Sequence, residues 1–226
     1  MLDRPYTFIN SAMSADGKIS TKKRKQVKIS GKADFDRVDE LRAGSDAVMV
    51  GIGTVLADDP SLTVKSEERR KRRSAGGKDE NPARVVVDSQ ARTPVTADIF
   101  KKGTGKRIVV VSQAAPADRV EALREKAEII VCGKEEVDLE QMSAELKKRG
   151  ISRLMIEGGA TLNYAMVSRR LVDEISVFVG NLIIGGKEAP TFMDGPGIGE
   201  RSEAVELKLV KFEPMDEGIV LTWKVL

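Results

Sequence analysis

The chain has 226 residues, with 38 Lys and Arg against 35 Asp and Glu, a formal charge of +3, and no histidine. The missing imidazole excludes a Ser-His-Asp triad, a Cys-His pair and a His-ligated zinc or haem, while a single cysteine, Cys132, excludes an intrachain disulfide or a Cys-x-x-Cys redox pair. At 41% hydrophobic, 32% charged and 4% aromatic, the composition predicts a globular protein with an aliphatic core.

In chain order, the opening residues carry charges and a proline within the first five positions, which suits neither an export signal nor, like every later stretch, a membrane span. The expectation is a cytoplasmic protein without a membrane partner. Apolar runs predict buried strands at 6–13, 47–50, 84–87, 107–111, 128–132, 154–156 and 174–179. Period-3.6 patterns between them predict helices at 34–43, 116–127, 138–149 and 160–170. The helix at 138–149 is the clearest, with Asp138 and Gln141 as a capping box and Gly150 as its stop. After a Gly/Pro-rich stretch, alternating runs at 204–212 and 218–225 read as a hairpin. The fold class is therefore α/β, one domain over 1–226, with a mostly parallel sheet and an antiparallel C-terminal hairpin.

Charge is uneven along the chain. Seven basic residues and no acid lie between Lys18 and Lys32, and seven against two acids lie between Lys65 and Lys78. Such windows can steer anionic ligands or bind nucleic acid, but charge runs are most often solvated. Residues 66–80 have no apolar residue beyond Ala75 and read as a flexible, solvated basic loop.

In open α/β sheets, ligands sit beyond the carboxyl ends of the strands, so strand ends carry the candidate chemistry. At 157–161 a strand ends on Glu157, Gly158 and Gly159 allow close backbone approach, and a helix opens at Ala160 and Thr161, an arrangement suited to pyrophosphate. The segment GIGTVLADDP offers Thr54 as an N-cap, with Asp58 and Asp59 before Pro60, a pattern equally common in plain turns. Past another strand, Ser89 and Arg92 could hold a phosphate monoester. Lys18 follows an Asp-Gly turn. Lys18, Asp58 and Glu157 at three strand ends form a plausible set for proton transfer and anchoring without histidine.

The segments SADGKIS, LRAGSDAVMVGIGTVLADDPSLTVK, NPARVVVDSQARTP, IEGGATLN, LVDEISVFV and IIGGKEAPTF, in this order, resemble the riboflavin-biosynthesis reductase family over residues 5–225. Its archaeal and fungal members are free-standing 2,5-diamino-6-ribosylamino-4(3H)-pyrimidinone 5′-phosphate reductases. Its bacterial members are the C-terminal half of a deaminase-reductase.

The resemblance implies a dihydrofolate-reductase-like fold, NADPH as hydride donor with NADH also open, and a homodimer. It implies cofactor contacts at Thr54, Asp58, Ser89, Arg92, Gly158, Gly159, Ala160 and Thr161. It further implies substrate contacts at Leu62, Lys65 and Glu157, and a role for Lys18. The loop at 66–80 is longer than the family leads one to expect. The family's zinc deaminase ligands cannot be built from no histidine and one cysteine, so no metal is expected and the chain should reduce without deaminating.

The implied chemistry opens a ribosylamine to an imine at C1′, which hydride then reduces to the ribityl form. Ring opening needs a proton on the ring oxygen, and the cationic imine needs electrostatic support. Lys18, Asp58 and Glu157 are the candidates for both, without a choice of acid among them. Two alternatives remain: a reductase of the same fold acting on a pterin or other heterocycle, and a nucleic-acid-binding protein using the basic windows. The second is disfavoured by the lack of interleaved aromatic residues.

Overall fold

The structure, a computed structural model, describes residues 3–25 and 27–226; the expected domain over 1–226 also takes in Met1, Leu2 and Gln26, which lie outside the described residues. In chain order its elements are β1 (Tyr6–Ser14), α1 (Lys32–Ala43), β2 (Ala47–Gly51), α2 (Ile52–Asp58), α3 (Glu67–Ala75), β3 (Ala83–Val87), α4 (Asp98–Lys101), β4 (Arg107–Val111), α5 (Ala117–Arg124), β5 (Glu128–Val131), α6 (Leu139–Lys148), β6 (Arg153–Ile156), α7 (Ala160–Ser168), β7 (Glu174–Gly180), β8 (Leu207–Met215) and β9 (Gly218–Val225). The strands are mostly parallel and end in an antiparallel hairpin, as the sequence predicts. The chain groups into two compact units, one of residues up to Tyr6 with Asp39–Met155, the other of Thr7–Val38 with Ile156–Leu226.

In the first unit the strands run in the order β5-β4-β3-β2-β6, with β2 to β5 parallel. Val48, Met49 and Val50 of β2, Val85 and Val86 of β3 and Val109 and Val110 of β4 are fully buried, which is why these runs show no polar alternation. On α6 the residues Leu139, Met142 and Leu146 are buried, and Asp138 caps it by accepting from the Gln141 N–H at 2.9 Å. The expected capping box is only half made. The Gln141 side chain accepts from the Gly133 N–H instead, tying the helix to the loop before it. Cys132 is buried, and that burial pushes its thiol up to about 11, so it stays protonated at neutral pH.

Two further expectations are corrected here. The N-cap of α2 is Gly51 rather than Thr54, because the helix begins directly at the strand end and takes Thr54 into its first turn. The stretch at 66–80, expected to be a solvated loop, is helix from Glu67 to Ala75. Ser66 caps it, Glu67 and Glu68 occupy its positive first turn, and Arg72 and Arg73 its negative last turn. It has no apolar stripe. The side chain it buries is Arg73, only 6% exposed, whose guanidinium donates to the carbonyls of Ala43, Ser45 and Asp79 at 2.7–2.9 Å.

In the second unit the order is β1-β7-β9-β8, with β1 and β7 parallel and the other pairs antiparallel. Helix α1 starts against the tip of the β8–β9 hairpin. The Asp216 carboxylate accepts from the N–H groups of Ala33 and Asp34 at 3.1 and 3.0 Å, satisfying two donors that the first helical turn cannot pair. These donors hold the Asp216 carboxyl below its ordinary range. A side chain at Gly31 would collide with that carboxylate. Among the described residues, no helix is long and apolar enough to cross a membrane.

Candidate functional site

In the first unit, the β2 strand end feeds α2, which carries Thr54 half-buried and ends at Asp58. The next residue, Asp59, turns left-handed with φ 42° and its carboxylate accepts from the Asp98 N–H at 2.8 Å, capping α4. The adjacent carboxylates thus have different tasks. Asp59 is structural. Asp58 remains open to solvent, yet partial burial raises its carboxyl above the ordinary aspartate value, which favours holding a proton.

The chain then runs through Ser61 to Ser66. Leu62 is 1% exposed and left-handed at φ 51°, a conformation costing about 1–2 kcal/mol for a side-chain-bearing residue. Its side chain is spent on the core, so a ligand contact at Leu62 falls to its main chain. Lys65 is exposed, and its ammonium donates to the Ser61 and Thr63 hydroxyls, both at 2.9 Å. Partial burial, then the neighbouring charges of Arg42 and Lys102, lower the Lys65 ammonium below its ordinary value despite Asp39 and Asp98. An anion bound here would relieve the crowded positive charge.

At the end of β3, Asp88 is fully buried; its Oδ2 accepts from the N–H and hydroxyl of Thr93, both at 2.7 Å. Its Oδ1 makes no hydrogen bond and sits 3.8 Å from Nε of Arg92, whose side chain is half exposed. Ser89 accepts from the Val137 N–H through its hydroxyl and from Ser112 through its carbonyl. A cavity of about 280 Å³ opens beside Ser112, lined also by Gln113, Val120, Glu121 and Arg124. Arg92 is therefore loosely held and available to an anion, whereas Ser89 is already engaged.

The last residue of β6, Ile156, opens the second stretch of the second unit, and Glu157 follows, half-buried. Gly158 has φ +108°, a region closed to other residues, and a Cβ there would point into open space. Gly159 is the N-cap of α7 and provides no side chain to cap its first turn, which opens with Ala160 buried and Thr161 exposed. A first turn with no side-chain cap, behind a glycine whose Cβ position is empty, is a fit for a phosphate group, which the N–H donors and positive dipole end of a helix start attract. Deeper in α7, the fully buried Asn163 donates to the Phe192 carbonyl at 3.0 Å and leaves its own Oδ1 without a partner.

The turn after β1 belongs to the same unit. Asp16 accepts from the Ser14 hydroxyl at 2.6 Å and from the N–H groups of Ile184 and Gly185 at 3.1 and 2.7 Å, which hold its carboxyl down to about 2. The Ser14 hydroxyl also accepts from the Lys18 N–H, and the Lys18 ammonium donates to the Ala189 carbonyl at 3.0 Å. Lys18 is thus bound to the 182–191 segment, and Asp16 fixes the turn that presents it.

The structure brings Thr54, Asp58, Leu62 and Lys65 together on one continuous stretch of the first unit, with Ser89 and Arg92 at the neighbouring strand end. It places Lys18, Glu157 and the 158–161 turn in the second unit. Sequence reasoning missed Arg42, Asp39 and Asp16. Asp16 had a signal in the Ser-x-Asp-Gly pattern, in which side chains habitually bind local main chain. The other two lie on α1 with no local mark.

Residues 5–221 match the family described as the RibD C-terminal domain. A 2,5-diamino-6-ribosylamino-4(3H)-pyrimidinone 5′-phosphate reductase of Archaeoglobus fulgidus is 48% identical over 97% of both chains. One of the same name from Methanothermobacter thermautotrophicus is 45% identical over 98% of this chain and 99% of its own. Among solved structures, RibD of Acinetobacter baumannii aligns with a TM-score of 0.81 at 26% identity, covering all of this chain and 59% of that one. The fold likeness extends to dihydrofolate reductase of Enterococcus faecalis, with a TM-score of 0.52 at 11% identity over 97% and 96% of the two chains.

Proposed function

This chain belongs to the RibD C-terminal domain family, and from that premise we propose that it reduces the ribosyl side chain of 2,5-diamino-6-ribosylamino-4(3H)-pyrimidinone 5′-phosphate to the ribityl form in riboflavin biosynthesis, with NADPH as reductant. The observation that carries this reading is a likeness to named reductases that runs the length of the chain and includes every strand end described above. The chain is accordingly an oxidoreductase that works with a nicotinamide cofactor; NADPH in particular is our proposal. A cytoplasmic location is part of this proposal.

Gly158, Gly159, Ala160 and Thr161 would hold the cofactor pyrophosphate, Thr54 and Asp58 its nicotinamide half, and Ser89 and Arg92 its adenosine phosphate. A nicotinamide cofactor held by these residues would supply the hydride that reduces C1′ of the sugar. Asp58 is our choice of acid among Lys18, Asp58 and Glu157, because partial burial raises its carboxyl above the ordinary aspartate value. It delivers a proton to the ribosyl ring oxygen as the bond from that oxygen to C1′ breaks and the exocyclic nitrogen forms the cationic imine. Glu157 supports the cationic imine electrostatically, and Lys18 anchors polar substrate atoms. Lys65, with the Leu62 main chain, takes the 5′-phosphate.

The homodimer rests on β8, where Leu209, Val210 and Phe212 are 50–65% exposed on an edge strand. Such an edge calls for cover, and a second copy is our choice. Phe212→Glu should halve the mass measured in solution; an unchanged mass would move the interface elsewhere.

The decisive experiment mixes NADPH with the ribosylamino-pyrimidine phosphate and follows loss of the reduced-nicotinamide absorbance. No substrate-dependent oxidation would overturn the reading, and oxidation with a pterin instead would replace it. Asp58→Asn should lower kcat at least about a hundredfold and also stabilise the fold at neutral pH. The sign follows from the raised carboxyl: the protonated form is the one the fold favours, so the native protein gains below the ordinary aspartate range and loses as pH rises through the folded value. Asparagine removes that loss.

A further inference from the structure

The basic helix α3 occupies the stretch expected to be a solvated loop, and its arginines do not simply face solvent. Arg70 sends one nitrogen, Nη1, to two successive carbonyls, those of Val64 at 3.0 Å and Lys65 at 2.7 Å. On the other side of the same peptide, Asp39 accepts from the N–H groups of Lys65 and Ser66 at 2.5 and 3.0 Å, and Arg69 holds Asp39 at 3.1 Å. The Val64 N–H is taken by the Asn81 side chain at 2.9 Å, and the Thr63 carbonyl by Arg42 at 3.2 Å. Every peptide from Thr63 to Ser66 is therefore fixed by a side chain from outside the segment.

That density of fixings has a purpose. The segment includes Leu62 in a left-handed conformation and sits in no strand or helix, so local main-chain bonds do not hold its shape. Its product is one exposed ammonium, Lys65 Nζ, set beside two hydroxyls and pressed by two neighbouring cations.

We propose that α3 is a clamp on the phosphate-binding segment, and that Arg70 is a positioning residue that holds the Lys65 main chain so that its ammonium meets the 5′-phosphate of the substrate. This rests on the reading of Lys65 as the phosphate contact. Arg70 touches neither substrate nor cofactor. Its effect is on affinity for phosphorylated ligands and not on the chemical step, because a wandering Lys65 weakens ground-state and transition-state binding alike.

The test compares Arg70→Met, which keeps the stem and removes the guanidinium, with Arg70→Lys, whose single point charge reaches one carbonyl. Lys65→Ala is the control, and ribose 5-phosphate is the probe for direct binding by calorimetry. In Arg70→Met the KM for the phosphorylated substrate should rise about tenfold, and ribose 5-phosphate should bind weaker by a similar factor. The KM for NADPH should stay unchanged and kcat at saturation within about twofold. Arg70→Lys should fall between Arg70→Met and the native protein, and it decides the question by itself if Arg70→Met fails to fold.

An unchanged substrate KM in Arg70→Lys or Arg70→Met, with a raised one in Lys65→Ala, overturns the clamp and leaves the reading of Lys65 standing. Equal losses for substrate and NADPH also overturn it. An unchanged KM in Lys65→Ala overturns the reading of Lys65 itself, and the clamp with it.

Discussion

The two basic windows are alike in net positive charge and opposite in structure. Between Lys18 and Lys32 the charges are mostly lysine, and Lys22, Lys23, Lys25 and Lys28 stand exposed on irregular chain. Between Lys65 and Lys78 they are mostly arginine and fold into α3, with Arg69, Arg70 and Arg73 directed at carboxylates and main-chain carbonyls. A guanidinium presents several donors in a rigid fork and sheds water more readily than an ammonium, so it can serve as the interior of a helix interface where a lysine would stay outside. Side-chain chemistry, more than charge density, decides which basic stretch is structure and which is surface.

The comparison breaks most visibly if the second window is removed. Deleting Arg69 to Gly77 should unfold the protein or abolish measurable substrate binding, whereas replacing Lys22 to Lys25 with Gly and Ser should leave the melting temperature nearly unchanged. Equal tolerance of both changes would return the second window to surface.

Within α3, Arg73→Met strips two buried carbonyls and one part-buried carbonyl of their donor and should lower the unfolding free energy by about 3 kcal/mol in urea titrations. Lys25→Met should stay within about 0.5 kcal/mol.

A smaller effect is pH-dependent. Burial by itself would raise the Asp39 carboxyl, but the N–H groups of Lys65 and Ser66 and the Arg69 guanidinium outweigh it and hold the carboxyl below its ordinary value. The stabilisation is therefore complete above the ordinary aspartate value near 3.8 and lost as pH falls through the lower folded value. Asp39→Asn should flatten that acid limb of the stability curve; an unaltered limb would detach Asp39 from the second window.

The smallest effect is on the outer face of α3, where the Lys71–Glu67 pair is exposed at both ends. Lys71→Ala should cost no more than about 0.5 kcal/mol and should cost less still in high salt. A larger cost would show that the outer face also holds structure.

Buried strands such as Val85 to Val87 and Ile108 to Val111 were legible because parallel strands covered on both faces leave continuous Val and Ile runs. Helix α3 was illegible to the same method because the side chain it buries is an arginine, and apolar periodicity cannot register a polar anchor. Its caps were in view all along: Ser66 before two glutamates, two arginines and then Gly76 at the end.

Of the candidate site, Asp58, Glu157 and the two glycines were singled out by looking past strand ends, a rule about chain direction that needs no coordinates. What fixes the segment around Lys65 and the turn before Lys18 could not be read that way. Asp39, Arg42 and Asn81 reach Lys65, Thr63 and Val64 from 17 to 26 positions away. Asp16 binds Ile184 and Gly185, more than 160 positions on. Local pattern has no access to such pairs.

The cap on α1 sets a timetable. Asp216 serves the Ala33 N–H from 183 positions further along the chain. A ribosome adding roughly 5–20 residues per second makes that carboxylate about ten to forty seconds after it makes the helix start. Throughout that interval α1 begins with donors that only water can satisfy, and β7, once made, lacks the antiparallel neighbour, β9, that covers it in the finished unit. A chain arrested before Asp216 would carry most of its residues and still present a frayed first helix beside an open strand edge, the two features by which quality-control proteins sort an unfinished polypeptide from a finished one.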